Sequence, residues 1–241
     1  MKLAVISDVH GNLEALKQVL ADIDQTGADL TVCLGDNVGY GPEPEAVINL
    51  LREHEIPSVL GNHELAIARP EYLSWFNELA HRSLVLTRNC LSESAVEYCR
   101  GLPVRMALAG GLFVHGCPPD SPLIYLAELK EAELKTVFES LEVQICFVGH
   151  THILELVGYD GREVTRSGLA TGLINLNPEG KYLINAGSVG QPRERNKNAK
   201  YLLWDTDRAT IEARFIPYDV AKTANRIIEL GWPVQHAQRL W

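Results

Sequence analysis

The 241-residue sequence has no Cys-x-x-Cys pair and only five cysteines, Cys33, Cys90, Cys99, Cys117 and Cys146. An odd number without paired spacing argues against a zinc cluster or a disulfide framework and for reduced thiols in a reducing compartment. Cys33 and Cys146 sit inside apolar runs as core thiols. Cys117, two residues after His115, is either another buried thiol or a chemical group beside that histidine. A surplus of basic charge is also missing. The 22 Lys and Arg residues against 31 Asp and Glu leave a net charge of −9, which argues against general nucleic-acid binding. A small phosphorylated substrate, met by local positive charge or metal, stays open. No apolar run approaches the roughly 18 residues that span a bilayer. The first residues read straight into a strand rather than a leader, so the cytoplasm is the expected location and no membrane partner is expected. Walker A and GxGxxG motifs are absent. Ala186 stands where GxSxG requires its first glycine, which excludes a serine-hydrolase elbow at Ser188.

What is present is a repeated pattern. Hydrophobic residues make up 46% of the chain, enough for a core at this length. Five apolar runs, LAVISDVHG, TVCLGDNVG, PSVLGNHE, LFVHG and QICFVGHTH, each break at glycine with Asp, Asn or His alongside. A buried strand ending this way delivers a polar side chain to one edge of a sheet.

The first sixty residues alternate strand and helix. Strands are predicted at 2–7, 30–34 and 57–60, and helices at 12–25, with Asn12 as N-cap, and at 43–53. Asp8, Asp36 and Asn62 therefore recur once per βαβ unit, and right-handed crossovers bring them to the same edge. Residues 65–103 form a helical insertion, read either as core-completing helices or as a partial cap over that edge. Strands follow at 104–108 and 111–115 around a Gly110-Gly111 turn, then a helix at 130–141 and a strand at 143–148. A β-rich run from 153 to 216, with Asp160-Gly161 as a hairpin, reads as a second sheet packed on the first. A closing helix is expected over 219–230. No linker or repeat divides the chain, so residues 1–241 are expected to form one domain.

Asp8, His10, Asp36, Asn62, His115, His150 and His152 supply ligands for two divalent metal ions. Asp36 is the candidate bridge. Asp8, His10 and His152 would complete one shell, and Asn62, His115 and His150 the other. Mixed imidazole and oxygen ligation suits Mn, Fe, Zn, Co or Ni, with manganese placed first. Two divalent ions against the two carboxylates leave positive charge for one hydroxide and one phosphodiester anion, and the ions would activate the hydroxide for attack. His63 is the candidate general acid, or else a hydrogen-bonding histidine behind the ligands. Glu64 either orients His63 or starts the next helix. His54, His81 and His236 have no ligand context.

The blocks DVHGN, GDNVGYGP, GNHE, VHG and GHTH, in this order, resemble the five-block signature of calcineurin-like metallophosphoesterases. The resemblance runs from Met1 to about His152. It implies an α/β fold, a four-layer αββα sandwich of two mixed sheets flanked by helices, and a dimetal phosphoesterase. Its ligand roles fall on the seven residues above and its catalytic histidine on His63. One block departs from the phosphoprotein-phosphatase branch, which has GDxVDRG. Gly39 stands where that branch has an Asp supporting the catalytic histidine, and Tyr40 where it has a phosphate-gripping Arg. The chain instead resembles the small prokaryotic phosphodiesterase branch. The block Asn185 to Arg193 resembles a glycine-rich loop of that branch, in which Arg193 either contacts phosphate or belongs to a solvated basic loop with Arg195, Lys197 and Lys200.

The expected activity is hydrolysis of phosphodiesters, with Asn62 and Arg193 touching substrate. Nucleoside polyphosphate hydrolysis or phosphomonoesterase action are the alternatives within that class. Aromatic residues of 65–103, with Tyr125, are candidates to stack on a base. From a different class, a non-catalytic protein-interaction scaffold is the competing reading, disfavoured because His63 and all seven ligands are present. Trp232 and Trp241 leave core packing and oligomer contact both open.

Overall fold

The fold is described from a computed structural model of residues 1–241. Two mixed sheets pack face to face. The first has the order β2-β1-β10-β11-β8, built from Lys2–Ile6 (β1), Leu30–Cys33 (β2), Gly172–Asn175 (β8), Ala199–Asp205 (β10) and Thr210–Ile216 (β11). The second has the order β3-β4-β5-β9-β6-β7, built from Arg105–Leu108 (β3), Gly111–Val114 (β4), Ile145–Val148 (β5), Leu154–Tyr159 (β6), Val164–Gly168 (β7) and Lys181–Ala186 (β9).

Side-chain alternation along single strands builds the layers. In β1, Leu3 and Val5 face the inter-sheet core with Phe113, Phe147, Leu202 and Trp204. Ala4 and Ile6 face the other way, against helix Leu13–Thr26 (α1) and helix Pro44–Glu53 (α2). In β5, Phe147 points inward, while Cys146 and Val148 meet Leu134 and Phe138 of helix Glu131–Ser140 (α6). The result is the expected αββα sandwich.

Three expectations need correction. Residues 57–60 make no strand; Ser58 forms an isolated parallel bridge with Cys33. Pro57 has no N–H to extend a ladder, and Gly61 ends the extended run. The later strands do not form a sheet of their own but divide between both. β10 is buried along all but its last residue, so it needs cover on both faces and lies against β1 in the first sheet. The hairpin before β4 turns on Ala109 and Gly110, both with positive φ, and Gly111 already belongs to the strand.

The insertion comprises Asn62–Ala68 (α3), a 3-10 turn at Pro70–Trp75, Glu78–Cys90 (α4) and Glu93–Gly101 (α5). These helices share an apolar cluster with Val38 and Ile48, so they chiefly complete a core. Helix Val220–Glu229 (α7) is capped by Asp219, and a further helix absent from the sequence reading, Val234–Arg239 (α8), follows Pro233. Trp232 packs inside this C-terminal unit, whereas Trp241 is exposed.

Candidate metal centre

β1 and β2 run parallel, as do β4, β5 and β9, so their C-terminal ends lie at one edge of the sandwich. That edge collects the residues singled out from sequence. Asp8 and His10 follow β1, Asp36 follows β2, His115 follows β4, and His150 and His152 follow β5. Asn62 and His63 open α3. All seven candidate ligands and His63 are buried. Of the nine non-glycine residues with positive φ, six are Asp8, His10, Asp36, Tyr40, His150 and His152. Such backbone is disfavoured for side-chain-bearing residues, and its concentration here marks a functional edge.

The ring nitrogens of the candidate ligands follow one rule. His10 Nδ1–H donates to Val38 O at 2.9 Å, His115 Nδ1–H to Leu34 O at 2.8 Å, and His152 Nδ1–H to Gln191 O at 2.7 Å. His150 uses Nε2–H, toward Leu123 O at 3.3 Å. Each ring is thereby oriented, and its other nitrogen faces the cluster with a lone pair, the arrangement found around metal-ligating histidines. His10 Nε2 lies 3.1 Å from His152 Nε2, and His115 Nε2 lies 3.2 Å from His150 Nδ1. Two lone pairs cannot hydrogen-bond each other; a shared cation or proton reconciles them.

Carboxylates complete two groups. Asp8 Oδ1 is 3.2 Å from His152 Nε2 and has no hydrogen-bond partner, while Oδ2 accepts from Ser7 Oγ at 2.5 Å and His150 N at 3.1 Å. Asp36 Oδ1 accepts from His63 N at 2.9 Å. Its Oδ2 lies 3.6 Å from His10 Nε2 and 3.3 Å from His115 Nε2, between the two groups. Asn62 Oδ1 is 3.1 Å from His115 Nε2. The orphaned Asp8 oxygen and the nitrogen and oxygen donors fit divalent cations.

The electrostatics agree. Burial opposes ionisation of both carboxyls, yet His152 and His10 hold Asp8 below the usual carboxylate range, and His115 and His63 hold Asp36 well below it. Burial also opposes charge on His115, but Asp36 and Asp8 carry it up to about 9, so the pocket draws positive charge. Burial and His115 push His150 down to about 4. His63 differs from the four oriented rings. Neither of its nitrogens reaches a backbone carbonyl, Nδ1 is unpartnered, and Nε2 lies 3.9 Å from Asp36 Oδ2. Burial pushes it down to about 3. Its ring is held by edge contacts with Tyr40 at 4.6 Å and Phe76 at 5.1 Å.

The sequence points to Glu64 as a start of the next helix and to the Asn185–Arg193 loop beside the site, but not to what they hold in place. The Glu64 carboxylate accepts four backbone N–H bonds, from Asp36 at 2.8 Å, Asn37 at 2.6 Å, Val38 at 3.2 Å and Gly61 at 3.1 Å. It caps α3 and clamps the Asp36 loop; it does not orient His63. The Asn185–Arg193 segment braces two ligand loops. Ser188 Oγ donates to Asp8 O at 2.8 Å, and Asn185 Nδ2 donates to Gly149 O at 2.6 Å. A Cβ at Gly190 would lie 1.7 Å from Val9 O, so only glycine allows this approach. Arg193 is exposed near Thr151 O, at 3.5 Å. Cys117 is buried and its thiol pushed up to about 11, which leaves it a core thiol. His54 and His81 are exposed away from the cluster, but His236 is buried, 4.7 Å from the Tyr40 ring.

An αββα sandwich with such a histidine–aspartate cluster at its strand ends is the frame of a metal-binding phosphoesterase. Comparison with known proteins agrees. The family model for the calcineurin-like phosphoesterase superfamily domain matches residues 1–209. The uncharacterized protein MJ0912 of Methanocaldococcus jannaschii is 34% identical over 243 residues, covering 99% of this chain and 97% of that protein. Phosphodiesterase YfcE of Escherichia coli is 34% identical over 93 residues, 39% of this chain and 41% of YfcE. Among solved structures, a metallophosphoesterase from Sphaerobacter thermophilus superposes with a TM-score of 0.86 at 33% identity, covering 100% of this chain and 98% of that one. The chain belongs to the calcineurin-like phosphoesterase superfamily and is a hydrolase acting on phosphate esters. No helix is long and apolar enough to cross a membrane.

Proposed function

We propose that the protein is a dinuclear metal-dependent phosphodiesterase acting on a small phosphorylated substrate. The observation that supports this most is the paired arrangement of donors. One group is Asp8, His10 and His152 and another is Asp36, His115 and His150; a third, His10, Asp36 and His63, shares a member with each. Asn62 adds an oxygen to the second group, and Asp36 Oδ2 stands between both. Two divalent ions held there, manganese first among the candidates, would supply charge to polarise the phosphoryl oxygens and acidify water. The chain's own residues orient the ligand rings through backbone carbonyls, exclude bulk water and present His63 at the edge of the cluster. Asn62 and Arg193 are assigned to the phosphate. Ligands, bracing loop and C-terminal helices draw on the whole chain, which we read as one domain. Its buried thiols suit a reducing cytoplasm.

His63 has two roles open to it. As general acid it must gain a proton together with the phosphate anion, since burial otherwise keeps it neutral. Its low value favours a second reading, in which the neutral ring donates a hydrogen bond to a phosphate oxygen. His63→Asn keeps a donor but cannot protonate, so it separates the two.

The test of function is hydrolysis of bis(p-nitrophenyl) phosphate and p-nitrophenyl phosphate before and after chelation. The expected outcome is that chelation abolishes activity, added manganese restores it, and the diester is preferred. Full activity in the chelated protein would overturn the metal reading, and preference for the monoester would overturn the phosphodiesterase assignment.

A further inference from the structure

A cavity of about 580 Å³ opens beside the metal centre, lined by Tyr40, Trp75, Phe76, Asn77, Ala80, Tyr125, Arg193, Lys197 and Arg239. Three of its rings touch the cluster. Tyr40 lies 4.5 Å from the His10 ring, Phe76 lies 5.1 Å from His63, and Tyr125 stacks on His150 at 3.7 Å. A substrate with its scissile phosphate at the metal centre therefore extends into this space. The other large cavity, about 560 Å³, is lined mostly by apolar residues such as Leu60, Leu65 and Tyr72 and contains none of the cluster.

The charge of the walls is one-sided. Arg193, Lys197 and Arg239 line the cavity and no carboxylate does, in a chain where acidic residues outnumber basic ones 31 to 22. None of the three takes part in an ion pair. Arg193 reaches Thr151 O at 3.5 Å and lies beside the Tyr125 hydroxyl, and Lys197 reaches Pro192 O at 3.2 Å, so neither meets a carboxylate. Three like charges facing one space repel each other until an anion enters. A single phosphate on two divalent ions already balances the charge of the metal centre, and Arg193 is assigned to that phosphate, so Lys197 and Arg239 are in excess of what one phosphate needs. Arg239 comes from α8. It lies outside residues 1–209, the part that the family model matches, in a C-terminal region that the full-length relatives also cover.

We propose that this cavity is a subsite for a second, non-scissile phosphate of the substrate, and that Arg239 is a specificity-determining residue within it. The proposal rests on the phosphoesterase reading for the scissile phosphate. Exposed Trp75 at the same cavity offers a face to the organic part that joins the two phosphates.

The test uses a matched pair of substrates, thymidine 5′-(p-nitrophenyl phosphate) with and without a 3′-phosphate, on the manganese-loaded protein. Wild type is expected to favour the 3′-phosphorylated ester in kcat/KM by about tenfold or more, the worth of a charge-assisted hydrogen bond. Arg239→Gln is expected to cut that ratio about tenfold, chiefly through KM, and Arg239→Lys to recover part of it. Calorimetric titration with thymidine 3′,5′-bisphosphate should show the same ranking of the three proteins. Equal kcat/KM for the two esters in wild type, or an unchanged ratio in Arg239→Gln, overturns the subsite. Bisphosphate binding that weakens in Arg239→Gln while neither ester is hydrolysed supports the subsite and counts against the phosphodiesterase reading instead.

Discussion

A Cβ placed on Gly39 would lie 2.0 Å from His63 Nδ1. The backbone at Gly39, with φ +86°, packs directly on the imidazole. No side chain fits between them, so this site holds its histidine without a neighbouring carboxylate at that position. The ring is wedged by Tyr40, Phe76 and His10 and has little freedom to retreat. Gly39→Ala should therefore displace His63 and lower turnover about 10²-fold or more, approaching the 10²–10⁴-fold loss expected of His63→Ala if the ring transfers a proton. Metal content should match wild type in both. Wild-type turnover in Gly39→Ala, measured with bis(p-nitrophenyl) phosphate, would show that the ring's position does not matter.

Asp36 Oδ2 is the one oxygen within reach of both histidine groups, and its charge balances both. Asp36→Asn puts an amide there and removes that charge. The expected outcome is loss of most of both ions, read by elemental analysis after gel filtration. Turnover should fall by at least ~10³-fold, the equivalent of about 4 kcal/mol of transition-state stabilisation. Two retained ions per chain would show that Asp36 is not the bridge.

These positions were readable in the sequence because each ligand sits where an apolar run meets a glycine, a local signal. The residues that hold them in place give no such signal. Glu64 reads like any acidic residue in a first helical turn, and only the folded chain brings four backbone N–H groups around it. Asn185 and Ser188 act on loops 34 to 180 positions away. His236 and Arg239 lie in a short helix that packs by tertiary contact, with no periodic run long enough to announce it. The division of late strands between two sheets escaped for a related reason. Alternation shows that β10 has two apolar faces, but not which neighbours cover them.

Glu64 supports the Asp36 loop with four accepted hydrogen bonds and no donor to spare. Burial and the Asp36 carboxylate push it up to about 7, against the pull of the surrounding N–H groups, and the all-donor shell requires an ionised carboxylate. Glu64→Gln turns an NH₂ toward two of these donors. Each of the two buried bonds lost this way costs about 1–3 kcal/mol, so at about 2–4 °C per kcal/mol for a chain of this length the melting midpoint should fall by roughly 4 °C or more. The Asp36 loop should loosen, with weaker metal retention. A melting midpoint within about 1 °C of wild type would remove Glu64 from the support of the site.

His236 ties α8 to α4, through a 2.6 Å contact between its Nε2 and Ser83 Oγ. Burial, then the Arg239 guanidinium, pushes it down from 6.5 to about 4. Between pH 4 and 6.5 the unfolded chain therefore binds a proton at this position that the folded chain refuses. Folding stability must rise with pH across that window and fall as acid is added, while above about pH 6.5 the group contributes no slope. The slope from one such group is at most about 1.4 kcal/mol per pH unit. His63 and His150 act in the same direction, so the wild-type curve alone does not isolate His236. The comparison with His236→Gln does, because glutamine keeps a hydrogen-bonding partner for Ser83 and does not titrate. Urea unfolding at pH 4.5, 5.5 and 7.5 should give a shallower dependence in the variant. The gap between the two proteins should close or reverse toward acid, by up to about 3 kcal/mol over the whole window. Parallel curves would mean that His236 takes up its proton as readily in the folded chain as in the unfolded one, and that burial does not keep the ring neutral.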